Sequence, residues 1–189
     1  MSSQISECPA DEAAEAMFVA KALSHIDHES KAQKLLVTRL SQYIAMLRAM
    51  HLWYHGAHHA VRGTSFSGDH QNLYGEIYTA IEKEVDAAIE KAIGLTGDEG
   101  MSCPMHIVKN ALTVMENYPS PAVVTSLAIA AIGLEMEKHY LEMVEHMFVE
   151  LEEAGVLSLG LNDFLAASAN DHEMHLYHLQ QRVKTELQE

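Results

Sequence analysis

Cysteine is almost missing from this sequence: Cys8 and Cys103 are the only two among 189 residues. Two thiols outside any C-x-x-C pair build no disulfide framework, and both are expected to be reduced, as in a cytoplasmic protein. Turn formers are scarce too, with ten glycines and four prolines, and aromatic residues make up only 6%. That argues against a turn-rich fold and for a helical one. Lysine and arginine number 12 against 27 acids, a formal net charge of −15. Such a surface repels phosphate backbones and attracts cations, so nucleic acid is not an expected partner. No basic arm offsets this: Lys21 is the one lysine or arginine in residues 1–30, against six acids. The opening MSSQISECPADEAAEAM lacks the basic-then-apolar layout of a secretory signal. The longest apolar run, PAVVTSLAIAAIGL, is too short to cross a membrane and soon becomes charged.

What the sequence does have is helical periodicity. A short helix is expected over about 10–24, where acids precede good helix formers. Four long helices follow, at about Ser30–Val61, Ser67–Gly94, 121–154 and 161–187. A short helix, Pro104–Tyr118, lies between the second and third, with proline in its first turn. On the first long helix Val37, Leu40, Ile44, Leu47, His51, Tyr54, His58 and Val61 form one inward stripe. The second offers His70, Tyr74, Ile77, Ile81 and Ala88, and the third Leu134, Glu137, Leu141, Val144, Phe148 and Leu151. Helices of this length, about 40 Å by the usual rise, imply an all-α four-helix bundle over residues 30–189, with 1–29 as an N-terminal extension.

Five of the chain's 13 histidines fall in HLWYHGAHHAVRGTSFSGDH, residues 51–70. A single histidine on an apolar helix face is most simply a hydrogen-bonded core residue. His58 and His70 differ, because Gly63 ends one helix and His70 lies in the first turn of the next, so both rings can reach one junction. His51, His55 and His59 are less well placed for ligation. Imidazole beside carboxylate suits Fe(II), and Asp86-Ala-Ala-Ile-Glu90 puts two carboxylates on one helix face. Yet sixteen residues separate His70 from Asp86, roughly 24 Å of helix. If His58, His70, Asp86 and Glu90 share a metal, the carboxylates belong to a neighbouring subunit.

The run from His58 to His70 resembles the signature of Dps-type miniferritins, H-W-N-V-x-G-x-x-F-x-x-x-H, with His58, Gly63, Phe66 and His70 matching without a gap. Asn162-Asp-Phe164 and Asp171-His172-Glu173-Met-His175 are similar to that family's closing pattern. The resemblance spans about residues 30–185. It implies a ferritin-like bundle and a ferroxidase centre at a two-fold interface, where His58 and His70 of one subunit face Asp86 and Glu90 of its partner. Twelve subunits would enclose a cavity in which iron, oxidised by peroxide or oxygen, is stored. Three departures stand out. Tyr74 replaces an acid four residues after the second histidine, and His59 replaces a tryptophan. Asp86 and Glu90 come one residue late, which calls for a π-bulge in the second helix. Asp69 is one candidate for the missing acid.

Two other readings compete. In the first, Glu84, Glu137, His51 and His172 or His175 interrupt the apolar stripes of four helices, as in di-metal carboxylate bundles whose metal lies inside one chain. The repeated Glu-x-x-His of such proteins is missing, and Glu135/His139 and Glu142/His146 are more simply surface pairs. In the second, the protein is a metal-free structural oligomer whose histidines only pack.

Overall fold

The computed structural model describes residues 31–186 together with Ala16, Met17 and Val19. The short helix expected over 10–24 therefore lies outside the described residues, apart from those three helical positions. Five α-helices follow: α1 (Lys31–Ala60), α2 (Glu76–Thr96), α3 (Pro104–Met115), α4 (Ser126–Glu153) and α5 (Leu159–Glu186). No strand occurs among the described residues. A turn and a further helical segment over 61–75 join α1 to α2, a short turn joins α4 to α5, each pair packs antiparallel, and the longer 97–125 connection carries α3 across α1. That is the four-helix bundle with an added short helix that the sequence implied.

Local signals set the boundaries. Pro104 opens α3, where its missing N–H costs nothing. The Thr125 hydroxyl accepts from the amide of Ala128 at 3.2 Å and caps α4. The second long helix is not uniform. Before α2 the chain forms a π-helix over Gly68–Gly75, the wider turn that the late position of Asp86 and Glu90 required.

Tyr54, Ile81 and Leu151 are among the side chains that fill the core. On α4 the expected stripe is only partly right. Glu137, Val144 and Leu151 are buried, but Met136, Tyr140 and Met147 fill the positions assigned to Leu134, Leu141 and Phe148, which are half-buried. α4 meets both α1 and α5, so its buried sector is wider than one stripe. Its apolar residues cover so much of the circumference that period alone does not choose among them.

Candidate metal sites

The last turn of α1 and the π-helix lie side by side, joined by a turn in which Gly63 takes a φ of 91°. This brings the rings of His58 and His70 into a stack, centroids 3.7 Å apart and planes 20° from parallel. Nδ1 of each ring lies 2.6 Å from the main-chain carbonyl of the other residue. A carbonyl only accepts, so both Nδ1 atoms carry a proton, which in the neutral ring leaves Nε2 with its lone pair. The carbonyl of His58 is available because α1 stops two residues later. The amide of Arg62, its ordinary helical partner, donates to Ser126 Oγ instead, at 3.1 Å. Burial, aided by the neighbouring imidazoles, holds His58 below its ordinary pKa and so keeps the ring neutral. The two rings open onto a surface pocket lined also by Gln71, Gly75, Glu76, Tyr78 and Lys83.

Gly75 makes the pairing possible. A Cβ there would stand 2.9 Å from the carbonyl oxygen of His70 and 3.4 Å from Nδ1 of His58. Tyr74 turns the other way, fully buried and stacked on Tyr54 with centroids 6.2 Å apart. Asp69 does not replace the missing acid. It is buried, and Nε of Arg182 donates to both its carboxylate oxygens at 2.8 and 3.0 Å. The carboxylate on the wall of the histidine pocket is Glu76, which spacing within an ordinary helix did not single out. His55 and His59 are exposed neighbours, their Nε2 atoms 3.3 Å apart. His51 is buried beside Arg48, with its Nδ1 3.3 Å from Nη1 of that arginine.

Asp86 and Glu90 are exposed one turn apart on α2, and neither bonds to another described residue. The chain does not bring them to His58 and His70. α2 runs on from the π-helix and carries them away from the pair, as the rise per residue requires.

A second group lies inside the bundle. His172 of α5 is fully buried between two carboxylates, its Nδ1 2.5 Å from Glu137 Oε2 of α4 and its Nε2 3.0 Å from Glu84 Oε2 of α2. The Tyr54 hydroxyl donates to Glu137 Oε1 at 2.7 Å. The hydroxyls of Tyr43, Tyr140 and Ser168 converge on Oε1 of Glu84, and the Tyr140 ring stacks on His172 at 3.8 Å. Burial works against a charge on His172, but Glu137 and Glu84 outweigh it and push its pKa up to about 9. Burial would raise Glu84, yet the bonds from His172, Ser168 and Tyr43 hold it below the ordinary glutamate value. Burial raises the phenols of Tyr54 and Tyr140 well above their usual range. Of the residues that interrupted the apolar stripes, Glu84, Glu137, His172 and His175 meet here and His51 does not. The phenols were missed because tyrosine at an inward position reads as core filler. On the surface of α4, Glu135 pairs with Lys138 at 2.6 Å and His139 bonds the Tyr118 hydroxyl at 2.8 Å.

No protein-family model matches the chain, and no curated protein does. Solved structures do match. The tetragonal form of Mycobacterium smegmatis Dps superposes with a TM-score of 0.66 at 20% identity, covering 80% of this chain and 87% of that one. A second structure of M. smegmatis Dps gives 0.65 at 20% identity, covering 79% and 81%. A C-terminal deletion mutant of the same protein gives 0.64 at 19%, covering 80% and 98%. At this identity the likeness is one of architecture, and its conclusion is that the chain has the Dps-type, ferritin-like bundle fold.

Proposed function

We propose that this chain is the subunit of a hollow homo-oligomer of the miniferritin type that oxidises Fe(II) and stores Fe(III). The observation that carries this is the His58–His70 pair, two stacked imidazoles whose tautomers are fixed by each other's main chain. A donated Nδ1–H orients an imidazole and raises the basicity of its Nε2, which is how metal-binding histidines are usually held. Glu76 adds a carboxylate at the same pocket. Asp86 and Glu90 stand exposed on another part of the surface, so a two-fold partner supplies them, and twelve subunits close the cage. Association is supported by the open apolar face of α3, where Met105, Val108 and Leu112 are 75%, 51% and 54% exposed.

Fe(II) is the substrate. Two Fe(II) ions give one electron each to a peroxide, which takes up two protons and leaves as two waters. Oxygen serves as the alternative acceptor. The Fe(III) formed then hydrolyses and is held by carboxylates inside the cage. Peroxide and Fe(II), the two reactants that make hydroxyl radical, are removed together. Nucleic acid is not a proposed partner, because the net charge is −15. None of the described helices is long and apolar enough to cross a membrane.

The deciding experiment follows Fe(II) oxidation optically, with oxygen and with peroxide, in the parent protein and in His58→Ala. Fast oxidation that falls by roughly tenfold to a hundredfold in the variant supports the reading. Oxidation no faster than in buffer would mean that the histidines only pack and that the likeness to Dps is one of fold alone.

A further inference from the structure

Inside the bundle, Glu137, His172 and His175 each offer one ligand atom, and these atoms lie within 4.8 Å of one another. His172 and His175 are three residues apart on α5, so both rings leave the same side of that helix. Glu137 comes from α4 opposite. Nδ1 of His175 is buried without a hydrogen-bond partner, 3.8 Å from Glu137 Oε1. A buried ring nitrogen with nothing to bond is costly, and it marks a place where something is missing. The charges point the same way. Glu84 and Glu137 are two carboxylates in the bundle interior, and no lysine or arginine among the described residues is ion-paired with either.

We propose that Glu137, His172 and His175 bind one divalent transition-metal ion inside each subunit, at a site separate from the His58–His70 pair. Two imidazoles and one carboxylate suit Fe(II) and similar borderline ions, and leave coordination positions open. The surroundings are those of a metal ligand set. Glu84 takes the Nε2–H of His172 at 3.0 Å, which leaves Nδ1 as the ligating nitrogen and orients the ring. The Tyr54 hydroxyl holds Glu137 from behind at 2.7 Å. His175 also reaches the wall of a surface pocket, where Glu76, Asp171 and His178 beside it would attract a cation. With a single carboxylate among its three ligands the site is for one ion, not for the ion pair of a di-metal carboxylate bundle.

The test uses Co(II) as a spectroscopic probe on the full-length chain carrying His58→Ala and His70→Ala, so that the surface pair cannot contribute. Visible Co(II) absorption saturating at about one ion per chain is expected, because nitrogen-rich sites of low coordination number absorb far more strongly than hydrated cobalt. Adding His175→Gln to that background should abolish the band while helicity by circular dichroism is retained, and adding His59→Ala should leave it unchanged. Absence of any band in the double variant overturns the proposal. So does a band that survives His175→Gln, or one that vanishes with His59→Ala. Because the surface histidines are already gone, failure here leaves the ferroxidase reading untouched. Loss of Fe(II) oxidation in His58→Ala alone likewise says nothing against the inner site.

Discussion

His172 shows how much one side chain can concentrate. It sits at 0% exposure between two carboxylates, and in the metal-free protein a proton does the work of a counter-ion. Its folded pKa, about 9 against an ordinary 6.5, means that its stabilisation is complete below pH 6.5 and is lost as pH rises through 9. Glu84 works in the opposite sense: its folded pKa is lowered, so its contribution is present above pH 4.5 and fades as pH falls through the folded value. Chelator-treated protein should therefore resist urea best between pH 4.5 and 6.5. By about pH 10 the loss should reach about 3 kcal/mol at most. His172→Gln should flatten the alkaline limb, and a limb that persists would remove His172 as its source. Sequence reading found His172, Glu84 and Glu137 because each breaks an apolar stripe. It did not find Tyr43, Tyr54 and Tyr140 as a hydroxyl network: Tyr54 continued its stripe as an apolar residue would, and Tyr43 and Tyr140 lay off the stripes that periodicity picked out.

Among the elements, the π-helix is the informative one. One surplus residue between His70 and Asp86 announced it, since an α-helix cannot absorb an insertion without rotating everything beyond it. The stripe had already put Tyr74 inward; what spacing did not reveal is that the wider turn leaves Gly75 and Glu76 on the wall of the histidine pocket. Gly75→Ala should force the His58–His70 pair apart and slow Fe(II) oxidation by roughly tenfold or more. Gly68→Ala, where an added Cβ meets nothing within 4 Å, is the control and should oxidise iron at the parent rate. The same segment is anchored to α5 through Asp69 and Arg182, with Nη2 of that arginine also donating to Ser65 Oγ at 2.7 Å. Arg182→Ala strands a buried carboxylate, and thermal or urea unfolding should show a loss of about 3–5 kcal/mol. A loss below about 1 kcal/mol, the range of exposed pairs, would show that the contact is solvent-screened.

For the whole molecule, the long apolar helices made the bundle legible, and the rise per residue showed that one chain cannot unite His70 with Asp86. Whether a partner completes the pocket is a question about assembly, and mixing answers it. Chains carrying His58→Ala and chains carrying Asp86→Asn with Glu90→Gln should each be inactive alone. Unfolded together and reassembled, they should recover about a quarter of the parent rate, because random pairing makes half the dimers mixed and each keeps one intact site. No recovery, with reassembly confirmed by sedimentation, would show that the pocket does not draw its carboxylates from a partner. Two residues, Glu76 and Ala80, stand on the wall of both pockets, the one at His58 and His70 and the one at His175, and Glu76 is the charged one. The two proposed sites share no ligand, yet they share a doorstep, where one exposed carboxylate, Glu76, draws cations towards both.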